Sequence, residues 1–248
     1  MLNILLPMAG VGSRFRNAGY TTPKPLLNIH GVPMVKVVVD NLTPTREHRF
    51  IFVCQEAHIK EYNLIQQLTS YATHVEVISV SHVTEGQACT ALLAKEYINT
   101  DEPLLIANID QYIDIDINLY LEAVDEQSLD GMIMTMYSQD SKWSYAHVDD
   151  EGFVTRTAEK EVISPHAAVG IFTFRHGSDF VQATERMLED DMRVNNEFYI
   201  CPCYNYLIHD GKRIGIYSIG NEYENMYGLG IPEDLEFFIN NPISMRVK

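Results

Sequence analysis

The chain has 248 residues, of which 46% are hydrophobic and 21% are charged, so a disordered, collagenous or coiled-coil protein is excluded. Its 18 basic and 34 acidic residues give a formal net charge of −16, which predicts that it binds neither nucleic acid nor an anionic membrane. No apolar run reaches the roughly 20 residues of a membrane span, and the first residues predict a buried strand rather than a signal peptide. The four cysteines lack disulfide or zinc spacing, so we expect a cytoplasmic protein with reduced thiols.

Short apolar strands alternate with helices over the first half of the chain. The predicted strands cover residues 2–8, 50–54, 75–80 and 103–108, and the predicted helices cover 33–42, 56–70 and 87–98. Wholly apolar strands are typical of a parallel sheet that is buried on both faces. The alternation therefore predicts right-handed βαβ units with helices on both sides of the sheet.

The pattern changes after Gly131 to short strands with fewer helices. Strands are predicted over 132–137, 144–148, 153–158, 167–174 and 213–218, and helices over 178–188, over 203–209 and from Pro232 onward. The sequence contains no linker or repeat between the two halves. We predict one α/β domain over 1–248, in which the second half adds strands and a lid to the same sheet.

The first strand ends in a glycine-rich loop that contains Gly10 and Gly12. Such a loop exposes backbone N–H groups that can hold a phosphate. Phe15 replaces the third glycine of a dinucleotide fingerprint, and no phosphate-loop lysine follows. The first acidic residue is Asp40, and four cations precede it: Arg14, Arg16, Lys24 and Lys36. This asymmetry in an acidic chain predicts an anion-binding site.

Three ordered segments together resemble the signature of the sugar-phosphate nucleotidyltransferases, also called NDP-sugar pyrophosphorylases. They are LPMAGVGSR at 6–14, PKPL at 23–26 and IHGVPM at 29–34. The resemblance implies a Rossmann-like, glycosyltransferase-A-type three-layer sandwich with a mainly parallel central sheet. It also implies a nucleotide-binding half over 1–130 and an acceptor-binding half over 131–248.

The resemblance further implies a reaction and its substrates. The enzyme would join a nucleoside monophosphate from a nucleoside triphosphate to a sugar 1-phosphate or a similar phosphorylated acceptor, releasing pyrophosphate. Its product would supply activated precursors for surface polysaccharide. The cofactor would be Mg²⁺, and the 14 tyrosines are compatible with a homodimer contact, although nothing in the sequence determines the oligomeric state.

The same resemblance assigns roles to residues of the first half. The nucleotide would contact the loop and the turn at 84–90 through Met8, Ala9, Gly10, Gly12, Ser13, Gly86 and Gln87, with Gly86 against the base. Arg14 and Lys24 would neutralise the phosphates as catalytic residues. Asp110, which follows the fourth strand, would be catalytic and would bind the Mg²⁺. One carboxylate is sufficient to begin with, because Mg²⁺ also takes substrate phosphates as ligands.

In the second half, the acceptor would contact Tyr145, Glu159 and Lys160. The polar and aromatic segment 195–205 could also shape its pocket. Near the end of the chain, glycine occupies position 228, which aligns with a second metal-binding aspartate of the family. Three nearby residues are candidates to replace that ligand: Glu222, Glu224 and Asn225. Alternatively, a single metal could be held by Asp110 and the phosphates.

Two other functions remain open from the sequence. A glycosyltransferase of the same fold, which consumes a nucleotide sugar, would use an Asp-x-Asp metal motif such as Asp114-Ile-Asp116. A sensor that binds nucleotide without catalysis would be consistent with the glycine at 228. The glycosyltransferase hypothesis leaves the role of Arg14 and of the Pro-Lys-Pro segment unexplained.

Overall fold

A nine-stranded sheet forms the centre of the protein in a computed structural model that describes residues 1–247. The strands are β1 (Leu2–Pro7), β2 (Asn28–Ile29), β3 (Val32–Pro33), β4 (His48–Gln55), β5 (Val75–Val80), β6 (Leu104–Ala107), β7 (Gln111–Ile113), β8 (Gly131–Tyr137), β9 (Ser144–Val148), β10 (Val154–Glu159), β11 (His166–Phe174), β12 (Ile214–Asn221) and β13 (Met226–Gly228). The helices are α1 (Ser13–Asn17), α2 (Met34–Leu42), α3 (Glu56–Tyr62), α4 (Leu64–Thr69), α5 (Gln87–Leu92), α6 (Lys95–Ile98), α7 (Ile117–Glu126), α8 (Gly177–Glu189), α9 (Tyr204–His209) and α10 (Pro232–Asn240).

The sheet joins a parallel part to an antiparallel extension. Its main path runs β10-β9-β11-β6-β1-β4-β5. In the first part, β1 lies parallel to β4 and to β6, and β4 lies parallel to β5. The carboxyl ends of these strands share one edge, where ligands bind in open α/β sheets. The parallel sheet predicted for the first half is confirmed.

Helices cover both faces of the sheet because the strands are apolar on both sides. Along β1, Leu2, Ile4 and Leu6 enter one core, which includes residues of α2, α4 and α7. Leu5 faces the opposite core, which includes residues of α5, α8 and α9. Burying a leucine or isoleucine side chain contributes about 1.5–3 kcal/mol, so a strand with this pattern is stable only between two helical layers. This arrangement is the predicted three-layer sandwich.

The second half contributes strands β8 to β12 to the same sheet. β11 pairs antiparallel with β6 and with β8, and β12 lies parallel to β8. The hairpin of β9 and β10 extends the sheet beyond β11. A separate small sheet, formed by β7 and β13, was not predicted from the sequence. It brings the segment near Gly228 against the chain that follows Asp110, since the Leu229 amide donates to the Asp110 carbonyl at 2.7 Å.

Two long helices that the sequence predicts are each divided in the structure. The helix predicted over 56–70 breaks at Asn63, whose φ of 49° and ψ of 44° are left-handed and end α3 before α4 begins. The helix predicted over 87–98 is interrupted at Ala94, where i→i+3 hydrogen bonds tighten the chain between α5 and α6. Within residues 1–247, no helix is long and apolar enough to cross a membrane.

Asn63 gives a direct test of the break between α3 and α4. A left-handed conformation costs an ordinary L-residue about 1–2 kcal/mol, whereas glycine adopts it readily. We expect Asn63→Ala to lower the free energy of unfolding by about 1 kcal/mol. Asn63→Gly should stay closer to wild type than Asn63→Ala does. Urea denaturation of the three proteins measures the difference, and equal stability of the two variants would contradict this account.

Candidate active site

Three adjoining cavities form a cleft at the carboxyl edge of the parallel strands. The glycine-loop cavity has a volume of about 440 Å³, the Glu159 cavity about 310 Å³ and the Asp110 cavity about 200 Å³. The first two share four lining residues: Gln87, Asn108, Glu197 and Tyr199. Lys24 and Asp110 line the first and third cavities, and Arg14 lines the second and third. The shared residues make the three cavities one continuous cleft.

The loop after β1 lines the glycine-loop cavity through Ala9, Gly10, Gly12 and Ser13. Gly12 has a φ of 64° and precedes α1, so the chain turns sharply into this helix. The Gln55 side-chain amide, at the end of β4, donates to the Ala9 carbonyl at 2.7 Å and holds the loop in position. Met8, which the sequence analysis also assigns to nucleotide binding, does not lie in this cavity. Its side chain is buried in the hydrophobic core and does not line the cavity.

The predicted catalytic lysine and the predicted metal ligand are paired with each other. Lys24 Nζ lies 2.7 Å from Asp110 Oδ2, and the two side chains are 22% and 25% exposed. Lys24 begins a short 3-10 turn after Pro23, while Asp110 lies just beyond β6. The pair therefore joins two separate segments at the mouth of the glycine-loop cavity.

Residues 1–39 contain no acidic side chain, and we call them the acid-free segment. The four cations of this segment fall into two groups. Arg14 and Lys24 line the cleft. Lys36 instead forms an ion pair with Asp40, one helical turn away on α2. Arg16 is exposed and does not line the cleft. Of the four cations that precede Asp40, two therefore line the cleft and two do not.

A divalent cation would find one protein carboxylate here and space beside it. Among residues 1–247, no group of three or more His, Cys, Asp or Glu side chains could hold a metal by itself. Asp110 lies against Gly230, where an added Cβ would come within 2.9 Å of Asp110 Oδ2, so the glycine leaves room for the carboxylate. The site fits Mg²⁺, which prefers one or two carboxylates together with substrate phosphates.

The three residues that the sequence offers as substitute metal ligands are engaged elsewhere. Glu222 accepts a hydrogen bond from Lys142 at 3.0 Å, and Glu224 accepts one from Asn221 at 2.8 Å. The Asn225 side chain donates to the Ile219 carbonyl at 2.8 Å. Each of the three side chains therefore has a protein partner, and that of Glu222 comes from the loop before β9.

Gly86 is a glycine for a reason that the sequence does not reveal. Its φ is 135°, and an added Cβ would lie 2.4 Å from the backbone oxygen of Phe198. Phe198 is held there by two hydrogen bonds, from its amide to the Glu85 carbonyl at 2.9 Å and from the Ala88 amide to its carbonyl at 3.0 Å. Gly86 still lines the glycine-loop cavity, but its missing side chain is explained by the close approach of Phe198.

Asn108 is a cleft residue that the sequence analysis did not assign. It follows β6, and its side-chain carbonyl accepts a hydrogen bond from the Gln87 amide. Both side chains line the glycine-loop cavity and the Glu159 cavity. Its location just beyond the carboxyl end of a parallel strand, two residues before Asp110, was the signal that could have identified it.

Glu159 and Lys160, which lie at the end of β10, both line the Glu159 cavity. Glu159 is only 9% exposed, and the Ser144 hydroxyl donates to its carboxylate. Burial raises the pKa of Glu159 above its ordinary value of 4.5, and the hydrogen bond and the charge of Lys160 only partly offset this effect. Lys160 has a φ of 56°, and its ammonium group donates to the Tyr199 hydroxyl at 2.6 Å.

Tyr145 does not line the cavity that the sequence assigns to it. It is fully buried, and its hydroxyl donates to the Asp140 carbonyl at 2.8 Å, so it supports the loop before β9. Lys142 and Trp143 of that loop line the Glu159 cavity instead. The segment 195–205 reaches the cleft as expected, through Glu197, Tyr199 and other residues.

The contact between Gly86 and Phe198 predicts a large effect of a single methyl group. Gly86→Ala should lower the free energy of unfolding by about 2 kcal/mol or more, because the Cβ meets backbone atoms and the φ value is strained for alanine. Gly10→Ala is the matched comparison, since its Cβ would meet nothing within 4 Å. Denaturation of both variants measures the difference. A loss for Gly86→Ala no larger than that for Gly10→Ala would contradict this explanation.

The raised pKa of Glu159 predicts a pH-dependent stability. The folded protein binds this proton more tightly than the unfolded chain, so the associated stability is present below pH 4.5 and is lost as the pH rises through the raised pKa. Glu159→Gln removes this loss. Its free energy of unfolding should therefore increase relative to wild type between about pH 5 and about pH 8. The exposed Glu161→Gln is the control, and parallel pH curves for wild type and Glu159→Gln would contradict the assignment.

A family model described as nucleotidyl transferase matches residues 3–207 of the chain. A curated relative, the low-salt glycan biosynthesis nucleotidyltransferase Agl11 of Haloferax volcanii, is 25% identical over 240 residues. The alignment covers 95% of this chain and 64% of that protein, so the chain spans less than two thirds of the relative's length.

Two solved structures are similar over nearly the whole chain. The nucleoside-diphosphate-sugar pyrophosphorylase of Vibrio cholerae RC9 matches with a TM-score of 0.80 and 25% identity, covering 96% of this chain and 100% of that one. A UDP-glucose pyrophosphorylase in complex with UDP-glucose matches with a TM-score of 0.79 and 17% identity, covering 99% and 100%. The second likeness concerns the fold alone. With the family model matching most of its length, the chain belongs to the nucleotidyl transferase family.

Proposed function

We propose that this protein transfers a nucleoside monophosphate from a nucleoside triphosphate to the phosphate of a sugar 1-phosphate or a related acceptor. The observation that carries the proposal is the continuous cleft between the glycine loop with its Lys24–Asp110 pair and the Glu159 cavity with Lys160. This arrangement suits two phosphorylated substrates that meet at the residues the cavities share. A role in supplying precursors for surface polysaccharide is part of the proposal, supported by the name of the Haloferax relative.

The reaction needs no general base. The acceptor phosphate is already anionic near neutral pH, so one of its oxygens can attack the α-phosphorus directly. A new P–O bond forms as the bond between the α-phosphorus and the bridging oxygen breaks, and pyrophosphate leaves with the electron pair. Catalysis then consists of positioning the two substrates and stabilising negative charge.

Different residues of the cleft would bind the two substrates and stabilise the negative charge. The backbone of the loop at Gly10, Gly12 and Ser13 would bind the triphosphate, and Arg14 and Lys24 would stabilise the charge that gathers on its phosphates. Lys160 would hold the attacking phosphate.

The acceptor itself would be recognised by Glu159, whose buried carboxyl would contact its hydroxyl groups. Bound Mg²⁺, held by Asp110 and the phosphates, would supply further neutralisation of the phosphate charge.

The contacts of the Asp-x-Asp motif do not favour the glycosyltransferase alternative. Asp114 forms an ion pair with Arg246, and Asp116 accepts a hydrogen bond from the Asn118 amide at 2.9 Å as the N-cap of α7. Asp116 lines a different cavity, of about 400 Å³, with Tyr112 and Arg246. Both carboxylates thus have structural partners outside the cleft.

The substrates can be identified in two steps. Thermal unfolding is measured with ATP, CTP, GTP, UTP and dTTP, each with and without Mg²⁺, and with nucleotide sugars as comparison ligands. A ligand at about one hundred times its Kd adds about 2.7 kcal/mol, or about 5–10 °C at this size. The triphosphate that stabilises the protein is then tested for pyrophosphate release with a panel of phosphorylated sugars and alcohols. Stabilisation by nucleotide sugars alone would instead support the glycosyltransferase function. Triphosphate binding without pyrophosphate release would support a sensor that binds nucleotide without catalysis.

Lys24 gives the sharpest test of the catalytic assignment. Lys24→Ala should lower turnover about 10²–10³-fold, because it removes a cation from the charge that develops in the transition state. Stability should change little, since the ion pair with Asp110 is partly exposed. Lys36→Ala, from the same acid-free segment but outside the cleft, is the control and should retain full turnover. If Lys24→Ala keeps half of the wild-type turnover, the assignment is wrong.

A further inference from the structure

Arg193 lies outside the cleft and lines none of its three cavities, yet it contacts two segments that do line them. Its guanidinium forms an ion pair with Glu85, with 2.5 Å between Arg193 Nη1 and Glu85 Oε2. The same group lies over the ring of Phe198, with 4.2 Å between the guanidinium carbon and the ring centroid. A third contact joins Arg193 Nε to the carboxylate of Asp191. One planar side chain thus connects the turn before α5 to the segment that follows α8.

The segment after Arg193 carries two residues of the cleft. Residues 194–199, which we call the Tyr199 segment, begin with a tight turn in which Val194 and Glu197 exchange two backbone hydrogen bonds at 3.0 Å. The two central residues of this turn have φ values of 50° and 63°, as a two-residue hairpin turn with left-handed residues requires. Glu197 and Tyr199 then line both the glycine-loop cavity and the Glu159 cavity.

Phe198 lies between these two cleft residues and fixes their position. Its side chain is 2% exposed and packs in the core that includes residues of α5, α8 and α9. Its amide donates to the Glu85 carbonyl, and its own carbonyl accepts from the Ala88 amide. Arg193 covers a face of the ring and is paired with the Glu85 side chain. Main-chain and side-chain contacts therefore hold the Tyr199 segment against the same turn.

The contacts of Arg193 determine local orientation more than the stability of the fold. The side chains of Glu85 and Asp191 are 64% and 71% exposed, and ion pairs between exposed groups contribute little to the free energy of unfolding. The guanidinium, however, uses its face for the Phe198 ring and its edge for both carboxylates. A lysine cannot reproduce this geometry, because its ammonium group is a point charge without a plane.

We propose that Arg193 is a positioning residue for the transfer reaction. It holds the Tyr199 segment against the turn at Gly86 and thereby fixes Lys160. The link is Tyr199, whose hydroxyl accepts a hydrogen bond from the Lys160 ammonium at 2.6 Å and whose ring centroid lies 4.6 Å from the same nitrogen. The inference rests on the proposed function, in which Lys160 holds the attacking phosphate. A misplacement of about 1 Å in such a group can lower the rate about 10²-fold.

Trp143 allows the position of the Tyr199 segment to be measured without any substrate. It is the single tryptophan of the chain, and it lines the Glu159 cavity together with Tyr199. Acrylamide quenching of its fluorescence therefore reports how open this cavity is to solvent. Arg193→Ala releases one contact of the segment and should raise the quenching constant above the wild-type value.

Arg186 provides a matched control, because it makes the same kinds of contact elsewhere. Its guanidinium forms an ion pair with Asp210 at 2.5 Å and lies 5.1 Å from the ring centroid of Tyr206. None of these three residues lines the cleft. Arg186→Ala should therefore leave both the quenching constant and the turnover at their wild-type values.

Turnover is measured with the triphosphate and the acceptor that the substrate screen identifies. Arg193→Ala should lower kcat about 10–100-fold. The KM for either substrate should change little, because every side chain assigned to substrate contact is retained. Glu85→Gln should reproduce part of the loss in kcat, and the double variant should lose little more than Arg193→Ala alone, since the two side chains share one contact. Thermal unfolding should show a Tm for Arg193→Ala no lower than that of Arg186→Ala.

The outcomes distinguish this inference from the proposed function. If Arg193→Ala has the quenching constant or the kcat of wild type, the backbone hydrogen bonds of Phe198 are sufficient and the inference is wrong. It is also wrong if Arg186→Ala shows the same changes, because the effect is then a general loss of surface contacts. If folded wild type turns over no pair of substrates, the proposed function is wrong and the role in transfer with it. Raised quenching in Arg193→Ala would in that case still support the hold of Arg193 on the Tyr199 segment.

Discussion

The close approach of the Phe198 backbone to Gly86 determines how the two sides of the cleft are joined. Because the contact is between main-chain atoms, neither partner can move aside by changing a rotamer. It attaches the segment that carries Glu197 and Tyr199 to the turn that opens α5. Tyr199 in turn accepts the hydrogen bond of Lys160, which lies at the end of β10. A displacement of the turn at Gly86 would therefore reach Lys160 in the Glu159 cavity through two contacts.

Charge compensation explains how an acidic protein can hold several cations in the cleft that we propose as its phosphate site. The chain carries a net charge of −16, yet its cleft contains Arg14, Lys24 and Lys160 within a small volume. Lys24 is neutralised by Asp110, and Lys160 is held by a neutral phenol. These two contacts reduce the repulsion among the cations of the cleft. In the proposed function, a polyanionic ligand would compete with Asp110 for Lys24.

The parts of the structure that depend on local sequence were predictable, and those that depend on close tertiary approach were not. The leucine and isoleucine side chains of β1 enter the two cores, so the burial of the strand follows from its composition, although its one polar residue, Asn3, is also buried and accepts hydrogen bonds from Arg49. The break at Asn63 depends on one left-handed residue, which an amphipathic pattern does not reveal. Met8 and Tyr145 are buried, although they stand within segments that do reach the cleft. The glycine at 86 was recognised, but its cause lies more than a hundred residues further along the chain, at Phe198.

The space beside Gly228 shows why position-by-position comparison is a weak guide to local structure. Helix α10 begins four residues after Gly228 and folds its first turn back over that glycine, so a residue from the helix can occupy the space of a side chain from the strand. An aspartate in both positions would bring two negative charges within contact distance. Glycine at 228 and aspartate at 234 are therefore better understood as one feature, in which the absence of the first side chain makes room for the second.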